Sequence, residues 1–208
     1  MKLTKLRNRV EQIWAHRYIP AHDIKHTLRV AALARHIATH EGGDPDEAEA
    51  AGLLHDLGRL VQDEEAGHAE AGVGWADSIL RETSEFSNDA RERILSAVRQ
   101  HSQLRSHGLL ANIIQDADKL EGLGAVGLMR AYVSKSHLLD YPDGVIAERG
   151  SITAQNISEQ ITFQMEWFDM LYTRTAKEMG ERRYRFMQTF MTELKRDVDE
   201  AGNQVRSD

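Results

Sequence analysis

Residues 44–59 read DPDEAEAAGLLHDLGR, and everything else in the chain can be placed around them. Asp44 is a good N-cap residue. Pro45 suits the first helical position, where its missing N–H would be unpaired anyway. Glu47, three residues after Asp44, comes close to a capping box. The spacing predicts a helix running to about Leu54. Its segment from Ala48 to Leu54 is apolar enough for a core helix, and it delivers His55 and Asp56 directly at its end. Burying an imidazole and a carboxylate there is costly unless something pairs with both. A divalent metal would satisfy the two at once. Gly58 follows, where the chain could turn away sharply.

Outward from this stretch the pattern stays helical. Leu3, Leu6, Val10, Ile13 and Trp14 recur at helical spacing. A second helix is expected soon after Pro20, ending at Gly42-Gly43. Residues 57–67 read as a loop with a short turn. Further helices are expected at 68–80, 88–101, 109–120 and 129–136, with a turn at Tyr141-Pro142-Asp143-Gly144. Two more should follow from about Thr153, separated by a break near Gly180. Their aromatic residues, Phe163, Trp167, Phe168, Tyr172, Tyr184, Phe186 and Phe190, read as a packing buttress. The expectation is an all-α, single-domain protein over 1–208, with its core at about 20–135 and a C-terminal helical buttress at about 153–201. Only three prolines interrupt the chain, which fits helices better than sheets.

The 208 residues are 41% apolar and 28% charged, an ordinary globular balance. The formal charge of −7 argues against a broad nucleic-acid footprint but leaves room for one small basic pocket. Cysteine is absent, so disulfides, thiolate metal sites and cysteine nucleophiles are excluded. Any metal must be held by histidine and carboxylates. No apolar run reaches the length of a membrane span, and the first residues lack a signal-peptide core. A cytoplasmic protein is the expectation.

Ten histidines are present. His16, His36, His40, His107 and His137 lie in polar settings and read as surface residues. His22, close to Pro20, reads as a capping group or a partner of a ligand. His26 lies in DIKHTLRVAALA, on a helix whose other face is apolar. Asp23, one turn earlier, could hydrogen-bond the ring nitrogen turned away from a metal. In ANIIQDADKLEGLGA, the apolar run 111–114 brings Asp116 and Asp118 to a buried position. Two residues apart on a helix, they point in different directions, so only one should be a ligand.

The order His26, then His55-Asp56, then Asp118 resembles the HD-domain phosphohydrolase superfamily, whose metal ligands follow the pattern H…HD…D. DIKHTLRV is similar to the surroundings of that family's first histidine, AGLLHDLGR to its central signature, and QDADKLEGLGAVG to the segment around its last aspartate. The C-terminal LYTRTAKEMGERRYRFMQTFMTEL resembles the closing helices of a bacterial subfamily of small, stand-alone HD hydrolases. The resemblance implies His26, His55, Asp56 and Asp118 as ligands of one divalent ion: Mn, Fe, Co, Ni or Mg. His68 and His101 fall where many members place histidines. Two features depart from the pattern. Thr162-Phe163 and Glu166-Trp167-Phe168 stand where the subfamily usually has a His-Phe pair and Glu-Lys-Leu. The acidic pair that some guanosine-tetraphosphate hydrolases carry after their HD motif is replaced by Leu57-Gly58-Arg59-Leu60.

The implied reaction is hydrolysis of a phosphoester or phosphoanhydride of a small phosphorylated substrate, a nucleotide, with a water on the metal as nucleophile. Asp56 would orient that water. Arg59 and Lys119 are the candidates for stabilising charge on the phosphoryl oxygens. His68 and His101 could bind a second metal, contact phosphate or protonate the leaving oxygen. Asp63, Glu64 and Glu65 form an acidic run that reads as solvated. The alternative function is a non-catalytic nucleotide-binding regulatory module. Action on nucleic-acid ends is disfavoured by the net charge, and the pattern does not speak to oligomeric state.

Overall fold

The computed structural model describes residues 3–61, 67–138, 150–151 and 153–205, with side chains to 200. Among these the regular structure is helical and no strand occurs. The helices are α1 (Thr4–Trp14), α2 (Ile24–Glu41), α3 (Pro45–Leu54), α4 (Gly67–Thr83), α5 (Asn88–Gln100), α6 (Leu109–Glu121), α7 (Gly124–Ser134), α8 (Ile157–Glu166) and α9 (Arg174–Val205). A single 3-10 turn, Leu57–Leu60, follows α3. No described helix is long and apolar enough to cross a membrane. The turn expected at 141–144 and the acidic run 63–65 lie outside the described residues.

The chain divides into two compact units, residues 1–118 with 172–176, and residues 119–171 with 177–208. In the first unit, α3 is the central helix, and every residue from Glu47 to Leu54 is buried. Its start matches the sequence reading, since Asp44 accepts from the Asp46 and Glu47 N–H groups behind Pro45. Glu47 does not close a capping box. Its carboxylate is taken by Arg93 of α5, while Glu49 pairs with Arg35 of α2 and Arg7 of α1. These pairs make it possible to bury two acids on a core helix. Gly52 lets α2 come close, because a Cβ there would lie 2.6 Å from Ala31 Cα.

Gly58 has a different task from the one its position suggested. It is not among the positive-φ residues, so no left-handed turn requires it. A Cβ at this position would fall 1.6 Å from the His68 carbonyl oxygen. Glycine is therefore needed for close approach of α4 to the 3-10 turn.

In the second unit the sequence reading needs two corrections. α7 begins at Gly124, five residues before the expected start, because the glycines around it permit the turn into a helix. Gly124 has φ +77, and a Cβ on Gly127 would meet Gly122 O at 2.0 Å. No break occurs at Gly180, which lies inside α9. There a Cβ would press on Leu171 and Phe168 at 3.0 and 3.1 Å, so this glycine serves packing. The aromatic buttress is partly realised. Phe168 stacks on Tyr184 and Phe163 meets Trp167 edge-on, but Phe186 is exposed and Tyr172 belongs to the first unit.

Candidate metal centre

Three segments of the first unit bring the histidines and acids together. Asp23 caps α2 by accepting from the His26 backbone N–H at 2.9 Å, which fixes His26 in the first helical turn. That carboxylate therefore holds the helix end, and not the His26 ring as the sequence suggested. His55 and Asp56 sit where α3 gives way to the 3-10 turn. Asp118 stands near the end of α6. His26, His55 and Asp56 are buried, and Asp118 is half-buried.

Their polar atoms converge. His26 Nε2 lies 3.3 Å from His55 Nε2. Asp56 Oδ2 is 3.4 Å from each of these nitrogens, and Asp118 Oδ1 is 3.5 Å from His26 Nε2. His55 Nδ1 is 2.8 Å from Gly52 O. A carbonyl can only accept, so Nδ1 carries a proton and Nε2 is the nitrogen turned inward. Unprotonated nitrogens and carboxylate oxygens at such distances repel unless a cation lies among them. Ligand atoms bonded at ~2.1 Å sit about 3.0 Å apart at right angles and about 3.4 Å apart at the tetrahedral angle. The observed spacing suits one ion, and two imidazoles with two carboxylates suit a divalent one.

A second group adjoins the first. His68 Nε2 and His101 Nε2 are 3.1 Å apart, and Asp56 Oδ1 lies 3.7 and 3.6 Å from them. His101 Nδ1 donates to Val98 O at 2.7 Å, so its ring is oriented in the same way as that of His55. Asp56 thus turns one oxygen to each group. Among the described residues three sets of possible ligands result: His26, His55 and Asp118; Asp56, His68 and His101; and His22, His26 and Asp56.

The electrostatics follow from this crowding. Burial works to raise the Asp56 carboxyl, but the surrounding imidazoles, His55 foremost, outweigh it and hold the group well below the usual carboxylate range. For His55, burial works downward, and the carboxylates of Asp56 and Asp118 turn the balance upward. Burial, with Arg59 and His101 adding positive charge, lowers His68 to about 4. His68 is therefore neutral at physiological pH and can accept a proton or donate a lone pair.

The remaining sequence candidates separate clearly. Asp116 is fully buried and accepts from Tyr172 N, Thr173 N and Thr173 Oγ1 at 2.8, 2.7 and 2.7 Å. It anchors the chain entering α9. Arg59 donates its Nε–H to Asp56 Oδ1 at 2.7 Å, so the expected phosphate contact already has a carboxylate partner. Lys119, the next residue after Asp118, is half-buried and belongs to the second unit. His22, read from the sequence as a capping group or a partner of a ligand, reaches Asp56 Oδ2 with its Nδ1 at 2.8 Å. A cleft of about 450 Å³ between the starts of α3 and α6 is lined by Glu47, Arg93, Gln100 and His107, and contains none of the converging groups.

Comparison with known proteins agrees with this arrangement. The HD domain family model matches residues 23–123, a span that includes all four converging ligand candidates. Residues 23–123 are an HD domain. The protein is a metal-dependent phosphohydrolase. The Bacillus subtilis protein YpgQ is 28% identical over 197 residues, covering 85% of this chain and 84% of YpgQ. The crystal structure of YpgQ in complex with ADP superposes with a TM-score of 0.75 at 26% identity, over 94% of both chains. An HD-superfamily hydrolase from Bacillus thuringiensis gives a TM-score of 0.76 at 25% identity, over 95% of this chain and 97% of the other. Ribonuclease Y of Oleidesulfovibrio alaskensis is 31% identical over 100 residues, but these are 48% of this chain and only 18% of the nuclease.

Proposed function

We propose that His26, His55, Asp56 and Asp118 hold one divalent ion and that the protein hydrolyses a phosphoester or phosphoanhydride of a nucleotide. The observation that carries this reading is the convergence of four buried or half-buried lone-pair donors on one point. A nucleotide as substrate is supported by the ADP complex of YpgQ, a relative along nearly the whole chain. When bound, the ion supplies positive charge that acidifies water and draws charge from phosphorus. The residues supply the rest. His26 and His55 turn their Nε2 atoms to one point, and the Gly52 carbonyl keeps the His55 ring from rotating. The imidazoles around Asp56, His55 foremost, outweigh its burial and hold its carboxyl well below the usual carboxylate range. Arg59 offsets part of the negative charge at Asp56 Oδ1 and lies beside the site where phosphoryl charge develops. Neutral His68, partly open to solvent, is the group placed to take or pass a proton. A second ion at Asp56, His68 and His101 is favoured by their mutual proximity.

The test is a metal-by-substrate screen. Metal-free protein receives Mn²⁺, Fe²⁺, Co²⁺, Ni²⁺ or Mg²⁺ singly and is assayed against nucleoside mono-, di- and triphosphates. Release of phosphate or pyrophosphate from at least one nucleotide is expected, and Asp118→Ala should abolish it. Tight nucleotide binding with no turnover under any ion would favour the regulatory alternative instead.

A further inference from the structure

His22 lies outside the proposed ligand set, yet it touches the centre's most crowded carboxylate. Its Nδ1 is 2.8 Å from Asp56 Oδ2. A carboxylate can only accept, so the imidazole donates. The chain is built to hold this contact. Ala21, immediately before it, has φ +65, a left-handed conformation that a residue with a side chain rarely adopts. Asp23, immediately after it, is fixed as the N-cap of α2. Strained backbone survives where its surroundings over-determine it, and such places cluster at functional sites.

Asp56 needs such a partner. The torsion that rotates an aspartate carboxylate is soft, so the direction of its lone pairs is set by what binds them. Arg59 grips Oδ1 from the 3-10 turn at 2.7 Å, and His22 grips Oδ2 from the segment before α2. Oδ2 is the oxygen that lies 3.4 Å from both His26 and His55. It has two lone pairs, and His22, whose ring stands edge-on to that of His26 at 5.2 Å, occupies one of them. We propose that His22 is a positioning residue: by donating its Nδ1–H to Asp56 Oδ2, it locks the carboxylate so that the second lone pair faces the point shared by His26 and His55. The inference rests on the metal-centre reading above.

Titration of metal-free protein with Mn²⁺ alone, followed by calorimetry, tests it without any substrate. His22→Ala should weaken Mn²⁺ binding about 10–100-fold, the range for losing a partner of a ligand. His22→Asn, whose amide N–H₂ stands where Nδ1–H stood, should recover most of the loss. The His22 side chain is 22% exposed, and circular dichroism melts of each metal-free variant report its folding. Unchanged or tighter binding by His22→Ala would overturn the proposal. So would a His22→Asn variant no better than His22→Ala, since the imidazole would then be acting as a ligand or a filler. A second measurement needs no variant: long-range ¹H–¹⁵N spectra of zinc-loaded protein should show His22 protonated at Nδ1, and an unprotonated Nδ1 would refute the donor role. Asp118→Ala is the control for the underlying reading. If it binds Mn²⁺ as tightly as the parent protein, the metal centre itself is misassigned, whatever the His22 variants do.

Discussion

Asp116 and Asp118 sit two residues apart on α6 and face different surroundings. Asp116 gives its oxygens to three donors at residues 172 and 173, while Asp118 turns toward His26. Their removal should therefore separate stability from chemistry. Asp116→Ala strands buried donors and should cost on the order of 3 kcal/mol in urea unfolding. Asp118→Ala takes away a half-buried ligand candidate that faces His26, so metal binding and turnover should vanish while metal-free stability stays within about 1 kcal/mol. The reverse pattern would mean that the two acids have been exchanged. Spacing alone told us that only one of them could be a ligand, and the family pattern selected Asp118. The duty of Asp116 was not legible, because its partners come 56 residues later in the chain. For His22 the sequence offered a capping or ligand-partner role but not the residue it joins, since its contact with Asp56 spans 34 residues.

At the scale of elements, close helix approach and helix-end pairing carry the predictions. Gly58→Ala would drive a methyl group into the His68 carbonyl, so the start of α4 must retreat or the turn must distort. Overpacking of this kind costs about 1–3 kcal/mol. Because His68 rides on that end of α4, hydrolysis should fall by more than the stability loss accounts for; a variant with full activity would show that α4 yields freely. Glu41, the last residue of α2, accepts from Thr175 N and Oγ1 at 2.7 and 2.6 Å in the first turn of α9. The Thr175 hydroxyl foremost, with its N–H, holds the Glu41 carboxyl below its usual value. The sign follows directly. A depressed folded-state pKa adds stability above the unfolded pKa, and that addition is lost as pH falls through the folded value. Glu41→Gln should thus destabilise at neutral pH and match the parent protein in acid, as read by thermal melts across pH; an equal deficit at every pH would refute the assignment. The capped start of α3 was legible in the sequence, whereas Asp23, the cap of α2, had been read as a partner of the His26 ring. The start of α7 and the continuity of α9 were not, because a glycine that breaks a helix and one that packs a helix look alike until the neighbour is known.

For the molecule as a whole, all four proposed ligands belong to the first unit but come from positions 26 to 118. An ion bound there favours the folded form over an unfolded chain that cannot gather these groups. At a hundred times its dissociation constant it should add about 2.7 kcal/mol. The thermal midpoint should rise with Mn²⁺ and fall back with a chelator, and a midpoint indifferent to both would argue against a site assembled by folding. The HD family match ends at residue 123, whereas the first unit is completed by residues 172–176. This has a consequence for the order of events during synthesis. A ribosome that has delivered every proposed ligand has not yet delivered the backbone amides that Asp116 requires. Until Tyr172 and Thr173 emerge, a buried carboxylate two residues from a proposed ligand lacks its partners. The surroundings of Asp118 are thus completed by a segment that arrives late in synthesis.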